Sequence, residues 1–145
     1  MIDRKLNVLL VDDDTDDAEM MLFSLTKLSW CEFNYVGDGV DALAYLYSDS
    51  TISPDLIVLD LRMPKVDGID VLRRLKSDDE RSTIPVVVLI SSSQGQRYVE
   101  SFKLKADGYL LKPVEVGQFL TVLSVLGLSG VQFNTELSPN ASSAN

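Results

Sequence analysis

Asp12 and Asp13 close the apolar run Asn7-Val8-Leu9-Leu10-Val11, and Asp60 closes another, Leu56-Ile57-Val58-Leu59. Lys112 follows a shorter run, Tyr109-Leu110-Leu111, and stands directly before Pro113. Short apolar runs of this kind read as strands buried on both faces. In a doubly wound sheet the carboxyl ends of such strands open onto one crevice, so side chains placed there converge although they lie far apart in sequence. Carboxylates are ligands for a hard cation, and an ammonium beside them adds a partner for phosphoryl oxygens. Asp12, Asp13, Asp60 and Lys112 therefore describe a site for a cation and a phosphoryl group.

Each member also has a plainer role. An aspartate after a strand often caps the next helix, a role open to Asp12, Asp13 or Asp14. A lone lysine is commonly a surface residue. Asp60 resists the capping reading because Leu-Arg-Met-Pro follows it, which is a loop and not a helix start. Asp16 and Asp17 read as the solvated first turn of a helix, where acids meet the positive end of its dipole.

The elements that must carry these residues alternate between strand and helix. Residues 6–11 read as a strand and 15–28 as a helix, with Ala18, Met21, Leu22, Leu25 and Leu28 on one face and Asp14 or Thr15 as its cap. A strand over 32–36, a helix over 39–47, a loop over 48–54 and a strand over 56–59 follow. After the turn Met63-Pro64-Lys65-Val66-Asp67-Gly68, a helix is expected over 69–76, a strand over 86–90, a helix over 94–105 and a strand over 108–111. Val116, Phe119, Leu120, Leu123 and Leu126 mark the core face of a last helix. This alternation predicts an α/β fold, a parallel sheet with helices on both faces. The composition turns to Ser, Asn, Gly and Pro beyond Gly127, so one domain over 1–128 and a polar tail over 129–145 are expected.

Composition removes several functional classes. The 145 residues suit one domain, and 46% apolar content with a mean hydropathy of +0.10 is that of a globular chain. No apolar stretch approaches the ~18 residues of a membrane span, and no signal peptide precedes the first strand, so a cytoplasmic protein without membrane contact is expected. A single cysteine, Cys31, and no histidine leave neither an internal disulfide nor a zinc constellation. The net charge of −9 with no basic cluster argues against nucleic-acid binding.

Taken together, Asp12-Asp13, Asp60 within Val-Leu-Asp-Leu-Arg-Met-Pro, Gly68 and Lys112-Pro113 resemble the receiver domain of bacterial two-component response regulators. The resemblance covers about residues 6–126 and implies a flavodoxin-like five-stranded sheet of order 2-1-3-4-5. The stretch from Tyr35 to Leu46, and the long loop before Pro54, look most like single-domain regulators that partner bacterial phytochromes and related sensor kinases.

The resemblance also implies roles. Mg2+ would be ligated by Asp13, Asp60 and the main-chain carbonyl of Arg62, with Asp12 acting through water. Asp60 would be the phosphoacceptor, served by a sensor histidine kinase or phosphotransfer protein, and Lys112, joined to Pro113 by a cis bond, would contact the phosphoryl oxygens. The Arg62 side chain either leans over that group or is an exposed loop arginine. Tyr109 matches the family's switch aromatic, or else packs with its hydroxyl at the surface. One departure stands out: the position of the family's Thr or Ser at the end of the fourth strand falls on Ile90. Ser91 is next, facing the other way unless a bulge or slip turns it, although its main-chain amide remains a possible phosphate contact.

The implied function is a phosphorelay signalling module with a downstream protein target, not an enzyme acting on an external substrate. Homodimerisation through the fourth helix, fifth strand and fifth helix is a further expectation, with Val114, Val122 and Val125 off the core stripe. Two alternatives stand beside it. Ile90 motivates a degenerate receiver used as a phosphorylation-independent adaptor. Asp12-Asp13-Asp14-Thr15 echoes the Asp-x-Asp of haloacid-dehalogenase-like phosphatases, although Asp16 stands where those enzymes need Thr or Val.

Overall fold

Valine, leucine and isoleucine fill both faces of the central strands, so the sheet is stable only with helices packed on each side. The computed structural model describes residues 4–61 and 67–128. In chain order the elements are β1 (Leu6–Val11), α1 (Thr15–Leu25), β2 (Cys31–Val36), α2 (Gly39–Leu46), β3 (Leu56–Asp60), α3 (Gly68–Lys76), β4 (Val86–Ile90), α4 (Gln94–Ser101), β5 (Gly108–Leu111) and α5 (Val116–Val125). All strand pairs are parallel, in the order β2-β1-β3-β4-β5, the flavodoxin-like arrangement expected from the sequence. Among the described residues no helix is long and apolar enough to cross a membrane.

Strand pleating divides the core in two. Leu9, Val11, Ile57, Leu59, Val86 and Val88 pack beneath α2, α3 and α4. The alternate residues, among them Leu10, Val58, Leu89 and Leu110, pack beneath α1 and α5 against Met21, Leu25, Phe119 and Leu123. Asp14, Asp38 and Asp67 cap α1, α2 and α3, each accepting a hydrogen bond from the backbone N–H three residues on, at 3.1, 2.7 and 3.1 Å. Such a cap contributes about 1 kcal/mol.

Several boundaries differ from the sequence expectation. α1 ends at Leu25, not at residue 28; Leu28 still reaches the core, but from a turn closed by its N–H to the Leu25 carbonyl at 2.9 Å. α4 ends at Ser101, not at residue 105, because Lys103 turns left-handed at φ 60° and Leu104 and Ala106 pack from the loop beyond. Asp60 lies inside β3 and not after it. On α5, Leu120 is exposed although its spacing placed it on the core stripe. Conversely, Val114 is buried and Val122 half-buried, its Cγ1 filling the space above Gly108 of β5; of the three valines expected off the stripe only Val125, 79% exposed, is open to solvent. Residues 129–145, expected as a tail, lie outside the described residues.

At the end of the sheet remote from the acidic pair, Asp55 ties β1 in place. It accepts two bonds from the Arg4 guanidinium, at 2.8 and 2.9 Å, and one from the Asn7 N–H at 2.8 Å. Burial alone would raise the Asp55 pKa, but these donors outweigh it and hold the carboxyl below its ordinary value. A lowered folded-state pKa gives stability that is present above the unfolded value, near pH 4, and lost as pH falls through the folded one. Asp55→Asn is therefore expected to cost about 1 kcal/mol at neutral pH and to flatten the acid limb of the stability curve, read from urea unfolding between pH 3 and 7.

Candidate functional site

The pleat that sorts the core also assembles the site. The Asp12 N–H bonds to the Val36 carbonyl at 3.2 Å and the Lys112 N–H to the Ile90 carbonyl at 2.8 Å, so the ladders extend one residue past β1 and β5. Continuing the alternation, Asp12 follows Leu10, Asp60 follows Val58 and Lys112 follows Leu110, all on the α1 and α5 side. Carboxylate oxygens of Asp12, Asp13 and Asp60 lie within 4.8 Å of one another. Asp12 is fully buried and Asp60 is 8% exposed, whereas Asp13 is open to solvent. With Asp14 serving as the cap of α1, neither Asp12 nor Asp13 is needed for it.

Two contacts fix Asp12. Its Oδ1 accepts the Asp14 N–H at 3.0 Å, and its carbonyl accepts the Tyr35 hydroxyl at 2.7 Å. Burial raises the Tyr35 pKa, and the charges of Asp12, Asp13, Asp14 and Glu19 add to the shift, so the phenol keeps its proton and donates. The other oxygen, Asp12 Oδ2, is buried without a hydrogen-bond partner; it lies 3.3 Å from Lys112 Nζ, within ion-pair range but without directed alignment. An orphaned, fully buried oxygen among convergent carboxylates is a coordination position that a small hard cation fits.

Lys112 Nζ stands among three acids, 3.1 Å from Asp17, 3.3 Å from Asp12 and 3.8 Å from Asp60. Burial opposes its charge, yet Asp60 and Asp12, with the hydrogen bond to Asp17, outweigh burial and raise its pKa, so the ammonium is retained at neutral pH. The bond to Pro113 is cis.

On the other side of the sheet, Ile90 closes β4. The ladder pairs Asp60 with Leu89 and Ile90 with Leu111 without a break, which removes the register slip that would have turned Ser91 inward. Both Ile90 and Ser91 line a cavity of about 410 Å³ bounded by Asp60, Gln94, Gly95 and Tyr98. Gly95 sits directly over Ile90: a Cβ there would fall on the isoleucine Cγ2 and 2.7 Å from its Cβ. Tyr109 is half-buried in the cluster beneath α4; burial raises its pKa and the Glu100 charge adds to it, against a main-chain hydrogen bond at Ala106. Arg62 lies outside the described residues.

Two residues of the site went unread in the sequence. Asp17, taken for a solvated first-turn acid, is four residues before buried Met21, and that spacing on a helix puts it at the head of the core stripe. For Tyr35 the only signal was a large half-polar residue in strand alternation, which says nothing of its partner.

The fold and the site define a response regulator receiver domain. That family matches residues 8–124, and the chain belongs to it. Among curated relatives, the DNA-binding dual master transcriptional regulator RpaA of Synechocystis is 34% identical over 119 residues, which is 82% of this chain. The chain spans about half of that protein, 48% of its length. Among solved structures, the bacteriophytochrome response regulator AtBRR is 36% identical with a TM-score of 0.79, covering 86% of this chain and 94% of that one. A phosphorylated cyanobacterial phytochrome response regulator, RcpA, is 30% identical with a TM-score of 0.66, covering 93% and 97%. These matches support a phosphorelay response regulator and do not favour the adaptor or phosphatase alternatives.

Asp60 itself depends on a close backbone approach. The Gly68 N–H bonds to the Leu61 carbonyl at 2.9 Å, and a Cβ on residue 68 would lie 2.5 Å from both the Asp60 carbonyl oxygen and Leu61 Cα. Backbone cannot move aside as a flexible side chain can. Gly68→Ala is expected to cost about 1–3 kcal/mol in urea unfolding, with the β3 end displaced.

Proposed function

We propose that Asp60 accepts a phosphoryl group from a phosphohistidine of a sensor kinase or phosphotransfer protein, and that the phosphorylated surface then engages a downstream protein. The observation that carries this reading is the convergence on Asp60 of an orphaned buried carboxylate oxygen and a retained ammonium, beside an open cavity. An Asp60 oxygen attacks phosphorus in line, and the phosphorus–nitrogen bond of the donor breaks with its electron pair leaving on the imidazole. Lys112 moves from its carboxylates to the phosphoryl oxygens. Asp12 and Asp13, with Asp60, would hold magnesium, which when bound supplies positive charge to those oxygens. The sequence contains no histidine, so the donor imidazole lies outside it.

The likeness to phytochrome response regulators supports a phytochrome-class sensor kinase as donor, and the receiver fold supports output by protein contact. In this reading the chain turns over only its own aspartyl phosphate. Ser91 contributes its main-chain amide and Tyr109 acts as the switch aromatic.

Incubation with acetyl phosphate and magnesium, followed by intact mass, is expected to give a single phosphoryl adduct that is absent for Asp60→Asn and absent without magnesium. No adduct on the native protein, even with a competent histidine kinase, would overturn the reading. Ile90→Thr restores a hydroxyl at the end of β4, and one charge-assisted hydrogen bond of about 1.5–3 kcal/mol corresponds to on the order of tenfold or more in transfer rate. The rate of adduct formation checks this; an unchanged rate would show that residue 90 does not reach the phosphoryl group.

A further inference from the structure

We propose that Asp17 is a positioning residue: it holds the Lys112 ammonium at the α1 side of the carboxylate cluster and so keeps it from occupying the cation's place. This rests on the phosphoacceptor reading above and extends it to a residue outside the carboxylate triad. The distances carry the inference. Lys112 Nζ is nearest to Asp17, at 3.1 Å with a directed hydrogen bond, and farthest from Asp60, at 3.8 Å. Between them, Asp12 Oδ2 at 3.3 Å accepts no aligned hydrogen bond. A lysine carries a compact charge on a flexible stem, so its position follows the balance of anions around it. Asp12 and Asp60 pull it inward; Asp17, on a different element, pulls it outward.

The geometry of α1 makes that pull a fixed one. The Asp14 side chain caps the helix, accepting the Asp17 N–H at 3.1 Å, while the Asp14 N–H bonds to Asp12 Oδ1 at 3.0 Å. The Asp17 backbone is thereby set by the cap, and Met21 one turn on is buried, so the carboxylate faces the β5 end at a defined place. Asp17, Lys112 and Pro113 line one small cavity with Met20, Met21, Ser24 and Val114, and none of Asp12, Asp13 and Asp60 borders it. Without the Asp17 charge, the ammonium would settle among Asp12 and Asp60 and compete with a divalent cation for the same oxygens.

A double-mutant cycle on the unphosphorylated protein tests this, with magnesium affinity read by calorimetry and no phosphoryl transfer required. Asp17→Asn is expected to weaken magnesium binding about two- to fivefold, the range of a partly exposed ion pair. In a Lys112→Met background the same change is expected to weaken binding no more than Asp16→Asn does, because Asp17 acts through the lysine. Asp16→Asn carries the same change of charge on the same turn, but Asp16 is not among the partners of Lys112, and it is expected to change affinity less than Asp17→Asn. Asp17→Glu, which keeps the charge, is expected to restore most of the affinity. Equal weakening in both lysine backgrounds, or equal weakening by Asp16→Asn, would reduce Asp17 to general electrostatics and overturn the proposal. If the native protein forms the Asp60 adduct while the cycle is flat, only the role of Asp17 falls; if native protein neither binds magnesium nor forms the adduct, the functional reading falls with it.

Discussion

Like charges are crowded at one end of this sheet, and the arrangement depends on what neutralises them. Asp12, fully buried, stands with Asp13 and Asp60 inside 4.8 Å, a separation at which carboxylates repel strongly when water is excluded. An uncompensated buried charge is costly enough to compete with the whole stability of a domain of this size. Lys112 supplies the opposing charge from β5. It reaches Asp12 and Asp60 across β3 and β4 only because all these strands end at one level. The position of the ammonium is therefore as much a product of strand register as of local sequence.

Register also decides which neighbours the site has. Asp12, Asp60 and Lys112 continue the pleat that faces α1 and α5, while Ile90 and Tyr109 lie on the pleat that faces α4. The charged chemistry is thus walled by one pair of helices, and the residues expected to sense it are packed beneath another. Of these residues, Asp60 and Ile90 meet at the cavity beside the start of α4. Tyr35, from the edge strand β2, joins the first group by its hydroxyl, which anchors the Asp12 carbonyl and sets the loop from which Asp13 projects.

Much of this was legible in the sequence. Continuous apolar runs gave the strands and their parallel pairing, and the charged residues that follow three of them gave the convergence of Asp12, Asp13, Asp60 and Lys112, because burial and strand direction dictate both results. Helix ends were less legible. Leu28 is apolar at helical spacing, yet it reaches the core from a turn, and Leu104, inside the expected span of α4, reaches it from a loop; periodicity does not distinguish those cases. Val122 was misplaced for a related reason: it packs on the bare backbone of Gly108, a partner visible only once β5 and α5 are set side by side. Asp17 was hidden by its own surroundings, since one acid among several in a first turn looks solvated until a lysine distant in sequence is brought to it.

Gly68 closes the segment that follows Asp60. Its N–H grips the Leu61 carbonyl, and its bare Cα rests against the Asp60 backbone, so α3 begins as a riveted extension of β3. A rivet transmits no relative motion. The opposite flank of Asp60 is built differently: there the cavity separates the acceptor from Gln94, Gly95 and Tyr98, and α4 begins on a Ser93 that makes no side-chain cap. Mechanically, the backbone at Asp60 is clamped on the α3 side, whereas on the α4 side open space lies beside the acceptor, and α4 is held to β4 where Gly95 meets Ile90.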